Sequence, residues 1–510
     1  MADPNSTNTR IAKNTIVLFA RMFVVLLISL YTSRVVLQTL GVEDFGIFSI
    51  VGGVVMMMTF LNTSMSGATS RFLTVALTKS DKEFNDTFST ALEIHAAIAL
   101  LFLIAAETLG LWFVRNKLVI PPGREFAAGI VYQCSIISAI FSMMQTPYNA
   151  CVISNERMSA YAVIEVLWTA LKLGIVFILP CMPFDKLIVY GFLYLCISAI
   201  VFFAYRGYCK KQFDNVEFHF ILDKSIALPM LSFCGWDLYS NMADTVKQQG
   251  TNIIINLFFG VTLNAASAIA TQVQSAVGGF AGSVIQAFRP PIIKSYSSGE
   301  IKKMEALICK ALKYSMILFG AMLVPLYVKM DYVLGLWLGT VPEHAEEFCK
   351  LLLFCSYVSL ASMILITSIH ATGRIGKMSA WSGTLSLLAL PLIYVAYKFI
   401  GTIPVYAYFI MLGINLLKLV MFFIITRANI PDINYWKLGV AILLPSIHIL
   451  ACCFPARLCV GILPDTFANL CIVTGVSIVF LGVMTYLLLL DKEDRLVVNR
   501  KAKQILHINA

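Results

Sequence analysis

Three basic residues lie deep inside long apolar runs of this 510-residue chain. They are Arg21, Lys172 and Lys247, whereas basic residues nearer the run ends, such as Lys310 and Lys418, can extend their side chains to an interface. A charge at bilayer depth costs about 2.5 to 3.5 kcal/mol even on a lenient insertion scale. The three deep residues are therefore expected either to face a water-filled cavity or to form structural ion pairs.

A polar stripe in the run from about 226 to 258 provides a second group of candidates. It consists of Asp237, Ser240, Asn241, Asp244, Gln248 and Thr251. Steps of three and four residues place these side chains on one helical face, which cannot be turned towards lipid. Asn241 and Gln248 are expected to line a cavity, and Asp244 is spaced to pair with Lys247. We expect an ion-coupling site at Asp237 or Asp244; a buried interhelical network is the alternative.

Two other runs carry weaker polar faces. In the fifth run Glu165 and Thr169 share a helical face with Lys172, and in the eighth Gln286 and Arg289 lie on one face with small residues. Small residues also allow close helix packing, so a packing role and a cavity lining both fit the eighth run. The sequence has neither Cys and His residues clustered at metal-ligand spacing nor a catalytic constellation. We therefore predict no metal, no cofactor and no enzymatic activity.

The composition determines which elements must position these residues. Hydrophobic residues make up 59% of the chain and charged residues 13%, with a mean hydropathy of +0.82, whereas soluble domains have about 25% charged residues. About fourteen apolar runs have the roughly 20 residues that cross a hydrocarbon core, and they lack the alternation of barrel strands. Because lipid cannot satisfy exposed backbone groups, the sequence predicts an all-α integral membrane protein with about 14 transmembrane helices.

The chain also contains an internal repeat. Three pairs recur at offsets of 218 to 220 residues: Met158-Ser159-Ala160 with Met378-Ser379-Ala380, Gly41 with Gly260, and Arg71 with Arg289. Duplications of several spans are common in secondary transporters. We therefore predict an N-terminal six-helix lobe over 1–212, a C-terminal six-helix lobe over 225–430, and two additional transmembrane helices with a cytoplasmic tail over 431–510, with a central cavity between the lobes.

The distribution of Lys and Arg predicts the orientation. With the N-terminus inside, 23 of these residues fall in cytoplasmic segments and seven in segments on the opposite side, in agreement with the positive-inside rule. Both termini are therefore predicted to be cytoplasmic. The net charge of +10 follows from this topology and gives no reason to predict nucleic-acid binding.

Two blocks of residues, together with the duplication, indicate a family. The chain contains Leu40-Gly41-Val42-Glu43-Asp44-Phe45-Gly46 followed by Ser70-Arg71-Phe72, and the Met158-Ser159-Ala160 block. With fourteen predicted spans, it resembles the polysaccharide-exporter branch of the multidrug, oligosaccharidyl-lipid and polysaccharide (MOP) exporter superfamily, the Wzx-like O-antigen and capsule flippases. The resemblance covers nearly the whole chain, and its motifs are diffuse.

That resemblance implies alternating access between two pseudo-symmetric lobes and an undecaprenyl-diphosphate-linked oligosaccharide, an O-antigen or capsular repeat unit, as cargo. On this interpretation Arg21, Lys172 and Lys247 bind the diphosphate, while polar stripes hydrate the sugars. It also implies the bacterial inner membrane, membrane lipids and a polysaccharide polymerase as partners, and a Na⁺ or H⁺ coupling ion. Two alternatives stay open: a MATE-type multidrug or cation antiporter, which Asp237 and Asp244 would serve, and a lipid II flippase.

Overall fold

The structure is a computed structural model of the chain. It describes residues 14–51 with gaps, 60–116, 120–213, 216–221, 223–401, 403–462 and 466–490, together with residues 495, 496 and 499. Within these residues every regular element is a helix and no strand occurs. The prediction of an all-α protein is confirmed.

Fifteen helices are named in chain order. The first half contains α1 (Asn14–Ser29), α2 (Phe60–Ala76), α3 (Asp81–Ala105), α4 (Leu111–Asn116), α5 (Glu125–Ser154), α6 (Met158–Ile178) and α7 (Lys186–Gln212). The second half contains α8 (Lys224–Ser297), α9 (Ile301–Val328), α10 (Met330–Leu338), α11 (Ala345–Thr372), α12 (Gly376–Val395), α13 (Tyr406–Asn429), α14 (Tyr435–Ile462) and α15 (Phe467–Met484). A π-helical turn, Ala106–Gly110, connects α3 to α4.

Ten helical stretches in the described part of the chain are long and apolar enough to cross a membrane. The 74-residue helix α8 is outside that group and covers the predicted seventh and eighth spans. The first two predicted spans lie partly outside the described residues, as do both termini. The total of fourteen spans and the cytoplasmic location of the termini therefore stay predictions.

A glycine divides α8 into two helical parts. Gly260 has φ 76° and ψ −165°, the single non-helical position inside α8, and it lies between the predicted seventh and eighth spans. Its partner in the repeat, Gly41, also has a positive φ of 81°. Side chains with a Cβ rarely adopt such conformations, so glycine is required at both positions for the turn.

The helix boundaries carry the same repeat. Four helices of the first half begin 218 to 220 residues before a helix of the second half: α3 and α9 at 81 and 301, α5 and α11 at 125 and 345, α6 and α12 at 158 and 376, and α7 and α13 at 186 and 406. The duplication therefore extends from the quoted motifs to the placement of whole helices.

The chain divides into two compact units. Unit 1 comprises Met1–Met242 and Gln286–Gly299, and unit 2 comprises Ala243–Ile285 and Glu300–Ala510. Both boundaries inside α8 fall within helix, so this helix contributes its two ends to unit 1 and its middle to unit 2. The lobe boundaries expected from the sequence stay a prediction.

Close packing fixes the Tyr205 hydroxyl in unit 1 and brings α8 and α12 together in unit 2. In unit 1 the ring of Tyr205 in α7 is fully buried in a cluster with Tyr148 and Ile197, which fixes its hydroxyl. In unit 2 a Cβ at Gly250 of α8 would lie 2.8 Å from the side chain of Leu390 in α12. The absence of a side chain at Gly250 allows these helices to approach closely, because there is no atom to displace.

Candidate functional site

A carboxylate with three donors forms the polar centre of unit 2. Asp244 Oδ1 accepts hydrogen bonds from Ser386 Oγ at 2.5 Å, Lys418 Nζ at 2.9 Å and Lys247 Nζ at 3.0 Å. Lys418 also donates to Ser386. These four residues are called the Asp244 cluster. The predicted pairing of Asp244 with Lys247 is confirmed.

The Asp244 cluster is partly open and carries a net positive charge. The side chain of Lys418 is 8% exposed and that of Lys247 13%, whereas the Asp244 side chain is 45% exposed. Two ammonium groups share one carboxylate, which leaves one positive charge uncompensated within the cluster. An ordinary ion pair would be neutral, so this arrangement retains capacity to bind an anion.

Lys418 was expected near a membrane interface, and that expectation is wrong. Its ammonium is buried against α8 because Asp244 compensates its charge across the helix contact. Asp244 and Lys418 lie 174 residues apart in the sequence. Helical periodicity indicates which residues are neighbours on one helix and carries no information about a partner on another helix, so Lys418 and Ser386 could not be predicted as partners of Asp244.

A second cluster surrounds Glu165 in unit 1. Arg21 Nη1 of α1 lies 3.9 Å from Glu165 Oε2 and donates to the Tyr161 hydroxyl at 3.4 Å. Tyr205 donates from α7 to Glu165 Oε1 at 3.3 Å. The guanidinium carbon of Arg21 lies 5.1 Å from the centre of the Tyr161 ring. Arg21, Tyr161, Glu165 and Tyr205, with Lys172, are called the Glu165 cluster.

Lys172 completes the Glu165 cluster from two turns further along α6. Its ammonium lies 4.4 Å from the centre of the Trp168 ring and 5.1 Å from that of Tyr194, which are cation–π distances. It interacts electrostatically with Glu165. Arg21 and Lys172 therefore place two cations around one carboxylate, the same excess of one positive charge that the Asp244 cluster has.

The predicted polar stripe of α8 is divided between the two units. Asp237 Oδ2 accepts from Asn241 at 3.2 Å, and Asn241 also donates to Ser64 Oγ of α2 at 3.0 Å. Asp237 interacts with the charge of Arg289, whose Nη2 donates to the Gly67 carbonyl at 3.3 Å. This Asp237–Arg289 pair is neutral. Gln248 is exposed and belongs to the part of α8 in unit 2.

The two positive clusters lie on equivalent helices of the repeat. The charge on the first helix of each set is opposite, because α1 carries Arg21 and α8 carries Asp244. Arg21 in α1 faces Glu165 in α6 and Tyr205 in α7, whereas Asp244 in α8 faces Ser386 in α12 and a cation in α13. The predicted residues Arg21 and Lys172 thus meet around Glu165, and Lys247 belongs to the other cluster. No group of three potential metal ligands occurs among the described residues.

An ion cluster outside the spans was also missed from the sequence. Arg124 donates to Asp44 at 2.8 Å through Nε and again through Nη2, and it donates to Asp185. Asp185 also accepts from the backbone NH groups of Leu187 and Ile188 at the start of α7. Burial opposes ionisation of Asp185, but the Ile188 NH and the Arg124 guanidinium outweigh burial and lower the pKa of the Asp185 carboxyl. The hydrogen bonds to Asp44, and after them the hydrogen bond to Asp185, outweigh burial and raise the pKa of the Arg124 guanidinium.

Comparison with known proteins identifies the architecture. No protein-family model matches the chain, and no curated protein matches it. An outward-facing MATE family transporter of the MOP superfamily superposes with a TM-score of 0.71 over 83% of this chain and 96% of that one, at 13% identity. A MATE structure in the bent conformation gives 0.70 over 86% and 97%, also at 13% identity. The chain has the MATE transporter fold.

A third solved structure is also similar to the chain. It is a MOP superfamily transporter from Pyrococcus furiosus, described as having a binding pocket of reverse polarity that suggests a different function. It superposes with a TM-score of 0.62 over 84% of this chain and 96% of that one, at 12% identity. With the ten apolar helices, these similarities establish a multi-pass membrane protein of MATE fold. Membership of the polysaccharide-exporter branch stays a prediction.

Proposed function

We propose that this protein is a flippase that moves an undecaprenyl-diphosphate-linked oligosaccharide across the bacterial inner membrane by alternating access. The observation that carries the proposal is the excess of one buried positive charge in each of two clusters. Arg21 and Lys172 surround Glu165, and Lys247 and Lys418 surround Asp244. A positive excess held inside a membrane protein favours an anionic cargo, because uncompensated buried charge is costly.

The clusters suit a diphosphate in particular. A diphosphate that leaves water carries about two negative charges and needs donors that replace its hydration. Arg21 can offer a planar fork of N–H groups, and the lysines offer compact charges with rotatable donors. Asn241 and Gln248, both exposed on α8, can donate to and accept from sugar hydroxyls. A polysaccharide polymerase would act on the exported repeat unit.

A MATE-type drug or cation antiporter is the second candidate, and lipid II is an alternative diphosphate cargo. The fold favours the antiporter directly, and Asp237 and Asp244 offer carboxylates for Na⁺ or H⁺ coupling. Asp244 is already bound by two lysines, however, and Asp237 lies beside Arg289. Cations would have to compete with these internal positive charges. The described reverse polarity of the Pyrococcus furiosus pocket supports the view that binding pockets of different polarity occur in this fold.

Transport by purified protein in liposomes tests the proposal. Vesicles would carry a fluorescent undecaprenyl-diphosphate oligosaccharide, and accessibility of the label to a membrane-impermeant quencher would report flipping. Wild-type protein is expected to flip this lipid and the double variant Arg21→Gln/Lys247→Gln to lose most activity. Lys82→Gln, at an exposed position of α3, is the matched control for loss of a positive charge.

The same vesicles separate the alternatives. Transport of an organic cation such as ethidium without lipid flipping would support the antiporter and overturn the proposal. Flipping of lipid II in preference to other glycans would retain the anionic-cargo mechanism and change the cargo.

A further inference from the structure

We propose that Glu165 takes up a proton when an anion binds at Arg21, so that cargo and proton enter the Glu165 cluster together. This inference rests on the proposed function, because it takes the anion to be the diphosphate of the cargo. It adds a coupling residue in α6 to the carboxylates of α8.

Arg21 holds Glu165 only loosely. Their closest approach, 3.9 Å, exceeds the length of a hydrogen bond, and the 3.4 Å contact with the Tyr161 hydroxyl is also long. The Arg21 Nε atom is buried without an acceptor in the described part of the chain. A guanidinium has five N–H donors. Arg21 can therefore direct several donors to an incoming oxyanion without first breaking a short ion pair.

Arg21 is the cation whose charged group lies within 4 Å of the Glu165 carboxylate. The titratable or charged groups that face Glu165 are Arg21 from α1, Tyr205 from α7, and Tyr161 and Lys172 from α6 itself. The Lys172 ammonium is held over the rings of Trp168 and Tyr194. The two tyrosines are neutral. When Arg21 binds an anion, the Glu165 carboxylate loses the full effect of its nearest cation and gains a nearby negative charge.

Protonation relieves this repulsion. The Glu165 side chain is 28% exposed, so a hydronium ion from the surrounding water can supply the proton: one O–H bond of the hydronium breaks, a new one forms at a carboxylate oxygen, and a water molecule is left. Tyr205 can continue to donate to the other oxygen. By linkage, an anion that favours protonation of Glu165 binds more tightly when the proton is present. Anion affinity is then expected to rise by up to about tenfold for each unit of pH decrease.

Proton counting during binding tests this coupling. The probe is farnesyl diphosphate added to the full-length protein in detergent, with calorimetry in several buffers of different ionisation enthalpy between about pH 5 and pH 8. The probe's own protonation contributes equally to wild type and to Glu165→Gln, so it cancels when the two are compared. The glutamine side chain has the same shape as glutamate and can still accept a hydrogen bond from Tyr205. Wild type is expected to take up as much as about one proton more per bound ligand than Glu165→Gln.

Infrared difference spectroscopy gives a second measurement that needs no variant at Glu165. Binding of farnesyl diphosphate to wild type is expected to produce a protonated-carboxyl C=O band, and Tyr205→Phe to shift that band by removing its hydrogen bond. Equal proton uptake by wild type and Glu165→Gln, or no new carboxyl band, would overturn the coupling and leave the flippase proposal standing. No binding of the probe to wild type would instead contradict the anionic-cargo proposal and the coupling with it.

Discussion

The Lys418 ammonium in α13 lies 2.9 Å from the Asp244 carboxylate in α8 and is almost completely buried by that contact. Lys247, one turn along α8, donates to the same oxygen. One carboxylate thus holds two lysines inside a membrane-spanning bundle. The lysines repel each other, and Asp244 is the group that makes their proximity tolerable.

Replacement of Asp244 should expose that repulsion. We expect Asp244→Asn to destabilise the protein by about 1 to 3 kcal/mol, because the asparagine oxygen can still accept a hydrogen bond but no longer carries the charge that compensates the two lysines. Removal of one lysine as well, in Asp244→Asn/Lys418→Met, should recover part of the loss. Thermal unfolding in detergent measures both effects, with Lys82→Gln as the surface control. A double variant less stable than Asp244→Asn would contradict this account.

Lysine at position 21 should restore only part of the lipid-flipping activity that depends on Arg21. Arg21→Gln is expected to reduce lipid flipping at least about tenfold, since a charge-assisted hydrogen bond contributes about 1.5 to 3 kcal/mol. Arg21→Lys restores the charge but not the planar fork, so intermediate activity is expected. Initial flipping rates in liposomes at equal protein density provide the measurement. Full activity in Arg21→Gln would show that this guanidinium serves structure alone.

The Arg124 ion cluster should make stability depend on pH in the acid range. The pKa of the Asp185 carboxyl is lower in the folded state than in the unfolded state. The ionised carboxylate therefore adds to the free energy of unfolding above the unfolded pKa of about 3.9, and this stabilisation is lost as pH falls through the folded-state pKa. Arg124→Gln should therefore lower the unfolding midpoint at pH 7, and the difference from wild type should shrink below about pH 4.

Asp185→Asn is the matched control for that pH series. Asparagine is as good an N-cap as aspartate, so this variant keeps the start of α7 and removes the Asp185 charge, while Arg124 keeps its hydrogen bonds to Asp44. Its pH dependence should be weaker than that of wild type, because the lowered pKa of Asp185 no longer contributes. A constant difference between wild type and both variants from pH 7 to about pH 3 would argue against the ion cluster as the cause.

Gly260 should not tolerate a side chain. Its φ of 76° and ψ of −165° lie in a region that is essentially restricted to glycine, and a forced residue there costs of order 1 to 3 kcal/mol. Gly278→Ala is the control, because Gly278 is helical and a Cβ there meets nothing within 4 Å. We expect Gly260→Ala to lower the unfolding midpoint and Gly278→Ala to leave it unchanged or raise it.

Local patterns in the sequence were sufficient for the helical class, the duplication and the pairing of Gly41 with Gly260. Each depends on apolar run length or on residue types at fixed spacing, and Asp244 with Lys247 is likewise a contact within one helix. The partners from other helices were not accessible in this way. Ser386 and Lys418 reach Asp244, and Tyr205 reaches Glu165, because of how helices pack, and one sequence contains no measure of that packing.

The return of residues 286–299 to unit 1 has a consequence for biosynthesis. Arg289 lies in this segment, and its charge faces Asp237 while its guanidinium donates to the Gly67 carbonyl. During translation, Asp237 and Gly67 enter the membrane before Arg289 has been made. The N-terminal unit therefore completes these contacts only after a segment that follows the middle of α8 has been synthesised, and a chain that ends before residue 286 lacks the contacts of Arg289 with Asp237 and Gly67.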